Sequence, residues 1–113
     1  MKKNTIILTL LVLAIIAIIV LINNSKPSDI ITDETARCIA SKSVLYASKT
    51  CSHCAVQKEI LGNYSSYFNI IECTETPEQC ASVGIQSIPA WMINGKLNIG
   101  VKTLKELKDL TNC

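Results

Sequence analysis

Val44-Leu45-Tyr46-Ala47-Ser48-Lys49-Thr50-Cys51-Ser52-His53-Cys54 is the stretch on which the fold turns. Ser43 to Ala47 reads as a short buried strand and Ser48-Lys49-Thr50 as a loop. Ser52 to Leu61 reads as a helix, with Val56 and Ile60 on its apolar face and Gly62-Asn63 as its stop. Two cysteines therefore open a helix directly behind a strand. A cysteine at a helix N-terminus faces unpaired backbone N–H groups and the positive end of the helix dipole. Both favour the thiolate, which is the nucleophile of disulfide exchange. The Cys51-to-Cys54 spacing lets the second sulfur close a small disulfide or resolve a mixed one. Zinc sites use the same spacing, so the pair by itself is a modest signal, and its place between strand and helix strengthens it. A zinc site also wants a second close pair, which Cys73 and Cys80 fit poorly.

Downstream, Asn69-Ile70-Ile71-Glu72-Cys73 reads as a second strand. Thr76-Pro77-Glu78-Gln79 has the pattern of a helix start, with Thr76 as cap, Pro77 in the first turn and Gln79 to complete a capping box; Gly84 ends that helix. Ala90 to Ile93 and Lys96 to Ile99 flank Asn94-Gly95, the strongest short hairpin signal. Thr103-Leu104-Lys105-Glu106 opens a last helix with Leu104, Leu107 and Leu110 at helical spacing. The strand–helix–strand start implies a right-handed parallel crossover, and the closing hairpin an antiparallel pair. Asp33 to Ser41 carries only a weak helical pattern.

Residues from Thr5 to Ile22 hold no charge, glycine or proline. As a helix they would rise about 27 Å, near the thickness of a bilayer's hydrocarbon core. Lys2 and Lys3 precede the run, while Lys26 beyond it is soon offset by Asp29. The positive-inside rule then leaves the N-terminus in the cytoplasm and the rest outside. A cleaved signal peptide would have a shorter apolar core and a small-x-small site, and neither is present around Ile22-Asn23-Asn24-Ser25. The expected organisation is a cytoplasmic tip at 1–4, a transmembrane anchor at 5–22, a linker at 23–36 and one small domain at 37–113.

Without Lys2 and Lys3, the eleven Lys and Arg fall to nine, against nine Asp and Glu. That balance gives nucleic-acid binding no electrostatic support. A domain this small buries a limited core, and six cysteines outside the cytoplasm fit a need for covalent staples. No metal and no cofactor is expected.

The element order, with Cys51-Ser52-His53-Cys54 at the first strand-to-helix junction and Ile88-Pro89 before the hairpin, resembles the thioredoxin fold from Ser43 to about Asn112. The expected class is α/β, a central mixed sheet of about four strands flanked by helices, with a transmembrane helix ahead of it. Leu45-Tyr46-Ala47, Glu72-Cys73, Cys80 and the run from Gly84 to Lys96 are similar to the thioredoxin-like domain of bacterial and archaeal vitamin K epoxide reductase homologues. There the domain is often fused to a quinone-reducing membrane bundle. The resemblance implies a free-standing partner to such an enzyme, carried on a single anchor.

It also implies roles for residues. Pro89 is expected to be cis beside the active pair, with Ile88 offering backbone to a substrate segment. Cys51 is expected to attack and Cys54 to resolve. His53 sits where disulfide-forming relatives carry histidine and thioredoxins carry proline. It is expected either to stabilise the Cys51 thiolate or merely to face solvent. Stabilising the thiolate favours the reduced form, with about 1.4 kcal/mol worth ~30 mV. Cys73 and Cys80 form a structural disulfide in the family. Cys38 and Cys113 remain, near the two ends of the domain; they are expected to pair, the alternative being a free or relaying thiol. One departure stands out. Relatives commonly carry a buried acid six residues before the first active cysteine, where this chain has Leu45. The proton acceptor for the resolving thiol is then missing or supplied from elsewhere.

The expected function is a membrane-anchored, extracytoplasmic thiol–disulfide oxidoreductase. It would oxidise protein thiols and be reoxidised by a quinone-linked enzyme of the vitamin K epoxide reductase type. The alternatives are a reductase or isomerase fed by a membrane electron carrier, a copper(I) carrier binding through Cys51 and Cys54, or an inert stapled scaffold.

Overall fold

The computed structural model describes residues 1–23 and 30–113, in two compact units, Met1–Ile30 and Ile31–Cys113. The first holds helix α1, Lys2–Asn23, the one described helix long and apolar enough to cross a membrane, with an 18-residue stretch of mean hydropathy 3.4. The stretch read as a linker at 23–36 falls partly on residues 24–29, outside the described residues.

The second unit starts with α2, Asp33–Ser41, which begins within that stretch. Thr32 caps it by accepting from the Thr35 N–H, and Ala36 and Ile39 are fully buried. Then follow β1 (Ser43–Ala47), α3 (Ser52–Leu61), a 3-10 segment (Gly62–Tyr67), β2 (Asn69–Glu72), α4 (Pro77–Ser82), β3 (Ala90–Ile93), β4 (Lys96–Ile99) and α5 (Leu104–Thr111). The sheet order is β2-β1-β3-β4. β1 and β2 run parallel, and the other two pairs are antiparallel. This is a thioredoxin-like α/β fold with a four-strand mixed sheet. The hairpin turns on Asn94 and Gly95, both at positive φ (51° and 74°), as a tight two-residue turn requires.

The sheet carries a core on each face. On one, Leu45 and Ala47 pack with Ile39, Cys54, Leu61, Phe68, Trp91, Ile93 and Leu107. On the other, Tyr46 packs with Cys80 and Ala90. Trp91 and Tyr46 are thus both buried, and Trp91 meets Phe68 edge-on at 5.8 Å. Gln57, wholly buried, ties α3 to β3 and to the loop ahead of α5. Its Oε1 accepts from Trp91 Nε1 (3.0 Å) and the Lys102 N–H (2.7 Å), and its Nε2 donates to the Lys102 carbonyl (3.0 Å).

Three local expectations are corrected. The buried face of α3 is Cys54, Gln57 and Leu61, while Val56 is exposed. Two apolar residues set the wrong face, because the core accepts a glutamine whose hydrogen bonds are met. In α5, Leu104 and Leu107 are buried but Leu110 is exposed, and Thr111 takes the inner place with its hydroxyl on the Leu107 carbonyl. Thr76 makes no cap; its hydroxyl turns back to the Glu72 carbonyl at 3.0 Å. At α5 the capping box of Thr103 and Glu106 is complete, and its bonds from Thr103 hold the Glu106 carboxyl below the usual range.

Candidate active site

α3 begins at Ser52 because Cys51 caps it. Cys51 has extended backbone (φ −94°, ψ 118°), and its Sγ accepts from the Cys54 N–H at 3.2 Å. A sulfur in the cap position takes the place that serine or aspartate oxygen usually fills, facing orphan N–H groups that favour negative charge there. Cys51 and Cys54 are the two free cysteines, one half-buried and the other fully buried. Burial pushes the Cys54 thiol up to about 11, helped by its hydrogen bond with Cys51; the Ser48 backbone and the Lys58 charge pull the other way.

The Ile88–Pro89 bond is cis. Cys51 Sγ lies 3.9 Å from the Ile88 carbonyl oxygen, and the Pro89 carbonyl accepts from the Gly100 N–H at 2.8 Å. The tertiary structure therefore brings Cys51, Cys54, Ile88 and Pro89 together from the two sides of the sheet's end. His53 is exposed on the first turn of α3.

The remaining cysteines are closed. Cys38–Cys113 spans a Cα–Cα distance of 6.0 Å and Cys73–Cys80 one of 5.7 Å. The first joins α2 to the end of α5, where the Lys42 ammonium also donates to the Thr111 carbonyl at 3.0 Å. The second lines a shallow groove of about 280 Å³ with Pro77, Ile85 and Ile88. No group of three or more His, Cys, Asp or Glu that could hold a metal occurs among the described residues.

Two residues, Lys58 and Glu72, escaped the sequence reading. Lys58, one turn beyond Cys54, donates to Glu72 Oε1 at 3.1 Å, with the carboxylate side chain only 14% exposed. Helical spacing from Cys54 to Lys58 was a usable signal, as was the alternation of β2 that sets Glu72 on the face of Ile70. Nearby, Lys49 pairs with Glu75, which holds its ammonium above the usual lysine range.

No protein-family profile matches the chain. It is similar to the thiol-disulfide oxidoreductase LTO1 of Arabidopsis thaliana, at 32% identity over 98 residues, which cover 79% of this chain. The match spans only 26% of that relative's length. Among solved structures, the N-terminal domain of the alkylhydroperoxide reductase subunit AhpF of Enterococcus faecalis superimposes with a TM-score of 0.50 at 20% identity, covering 78% of this chain and 48% of that one. A mutant of the same subunit gives the same values. That likeness is one of fold.

Proposed function

We propose that the chain is a thiol–disulfide oxidoreductase whose working pair is Cys51 and Cys54. The observation that carries this is the free pair at the mouth of α3, with the Cys51 sulfur capping the helix beside the cis Ile88–Pro89 bond. The name of the Arabidopsis relative supports the same activity.

Cys51 takes part in the exchange with substrate sulfur, and Cys54 forms or resolves the intramolecular disulfide. Ile88 and Pro89 present extended backbone to the substrate segment, and His53 favours the reduced form through its ring N–H. Cys73–Cys80 and Cys38–Cys113 are structural. The substrates are protein thiols, oxidised outside the cytoplasm. A quinone-linked membrane enzyme of the vitamin K epoxide reductase type restores the Cys51–Cys54 disulfide. Residues 5–22 anchor the protein, 1–4 lie in the cytoplasm, 23–36 link and 37–113 work outside, an orientation supported by Lys2 and Lys3.

The test is redox equilibration of the full chain in detergent against glutathione, followed by peptide mapping. A Cys51–Cys54 couple that oxidises a reduced, unfolded protein supports the proposal. A pair that binds copper(I) tightly but leaves substrate thiols untouched rejects it in favour of a metal carrier. Protease added to intact cells is expected to digest the domain, and a soluble product lacking its first helix would reject the anchor.

A further inference from the structure

Resting on the exchange chemistry proposed above, the geometry points to Glu72, steered by Lys58, as the group that takes and returns the Cys54 proton. Strand alternation places it. Leu45 and Ala47 face the core that holds Cys54, and Tyr46 faces the opposite one. β2 runs parallel to β1 with Leu45 opposite Ile70, Tyr46 opposite Ile71 and Ala47 opposite Glu72. Ile70 packs on the Cys54 core and Ile71 on the other, so Glu72 projects to the face that α3 covers. Leu45, fully buried on that face, has no proton to give or take. Glu72 stands one strand over.

The ion pair is asymmetric. Glu72 Oε1 is engaged by Lys58, whereas Oε2 is buried and has no hydrogen-bond partner among the described residues. Oε2 is thus open to a proton while Oε1 stays on Lys58. Lys58 lies four residues after Cys54 on α3, which sets the two side chains on one face of the helix. Its charge eases loss of the Cys54 proton, against the burial that resists it. Other charged groups near the pair are otherwise disposed. Glu75 is exposed and taken by Lys49, and His53 is exposed on the outer side of α3.

The step balances. A substrate thiolate attacks Cys51 Sγ, the Cys51–Cys54 bond breaks, and its electron pair leaves on Cys54 Sγ, which takes a proton that the Glu72 carboxylate relays from solvent water. In the opposite direction Cys54 gives that proton to Glu72 and attacks Cys51 Sγ. The bond from Cys51 to the bound partner then breaks, and the partner departs as thiolate. No oxidant beyond the disulfides themselves is needed.

The experiment mixes the full reduced chain, in detergent, with a chromogenic aromatic disulfide. The first coloured thiolate reports attack by Cys51 and the second reports resolution by Cys54. Glu72→Gln is expected to slow the second phase about 100-fold at neutral pH, within the usual range for a lost acid–base group, and to leave the first phase within about twofold. The deficit should shrink as pH climbs toward about 11, where Cys54 ionises unaided. Lys58→Met should show a smaller deficit with the same pH trend, and Glu72→Asp, which keeps the carboxylate, should recover part of the rate. A second phase at the native rate in Glu72→Gln, or one slowed by the same factor at every pH together with a lower Tm, overturns the proposal. If Glu72→Gln does not fold, Glu72→Asp and Lys58→Met decide by the same pH trend. A native protein with no first phase at all rejects the oxidoreductase assignment itself, whereas a normal first phase with an unaltered second phase rejects only Glu72.

Discussion

At the mouth of α3, Cys51 and Cys54 stand as thiols one helical turn apart; at the margins of the domain, Cys38–Cys113 and Cys73–Cys80 are closed. The side chain is the same, and the surroundings differ. At α3 the sulfurs have other partners, since Cys51 accepts a backbone N–H and Cys54 sits in a core that tolerates a neutral thiol. Opening that pair leaves the fold with its hydrogen bonds. At the margins the disulfides do the joining. Cys38–Cys113 closes a separation of 75 residues and Cys73–Cys80 one of 7. Under the proposed function, the pair at α3 is one whose open and closed states the fold accommodates, and each staple is one whose opening it is expected to resist.

The largest expected effect tests the mouth of α3. Cys51→Ser should reduce disulfide exchange by about a thousandfold or more, while Cys54→Ser should accumulate mixed disulfides with substrate. Both are read by turnover of a model disulfide and by non-reducing gels. Exchange that survives in Cys51→Ser would move the chemistry to the margins and dissolve the contrast.

The margins come next. Replacing Cys38 and Cys113 by serine should lower the unfolding free energy by roughly 4–5 kcal/mol, and replacing Cys73 and Cys80 by ~2.5, on the chain-entropy account. Denaturant titration measures both. Under graded reduction with alkylation and peptide mapping, labels should appear first on Cys51 and Cys54. Early labelling of Cys73 or Cys38 would make the staples a second redox centre.

A pH series sharpens the same contrast. Cys54 in the reduced fold is pushed up to about 11, so the fold favours its neutral form. That contribution is complete below the range where an unfolded cysteine ionises, and it disappears as pH rises through about 11. The reduced domain should therefore lose several degrees of Tm across that alkaline window relative to the oxidised domain, which has no such thiol. Equal alkaline losses in both states would show that Cys54 is not the group responsible.

The smallest expected effect is at His53. His53→Pro removes a ring N–H that can support the Cys51 thiolate, so the couple should become more reducing by about 30 mV for each 1.4 kcal/mol lost. Equilibration with glutathione measures the shift. An unmoved potential would assign His53 to solvent alone.

Much of the fold was legible because its signals are local. Asn94-Gly95 places a hairpin whose strands, Ala90–Ile93 and Lys96–Ile99, fall where they were read, and Thr103 with Glu106 forms the capping box that the pattern requires. The α3 boundaries follow from Cys51 and Gly62. What misled was the identity of inward faces. Val56 looked like core and is exposed, whereas Gln57 looked like surface and is buried. A glutamine can be interior only if Trp91 and Lys102, distant in the chain, meet its amide, and no local pattern carries that. Thr76 failed as a cap for a similar reason, because the Glu72 carbonyl offered its hydroxyl another partner.

By itself the sequence determined the element order, the apolar helix ahead of the domain, and a cysteine pair at a strand-to-helix junction. These follow from hydrophobic period, turn residues and spacing, all of which act over a few neighbouring residues. Only the tertiary structure decided what surrounds the pair. It set the Ile88 carbonyl 3.9 Å from the Cys51 sulfur, closed Cys38 onto Cys113, buried Cys54, and placed the Lys58–Glu72 ion pair on the Cys54 face with one carboxylate oxygen unpartnered. The reason is the parallel crossover: Glu72 comes to lie beside Ala47 only because β2 docks on β1 in one register, and a slip of one residue would turn it to the opposite face of the sheet.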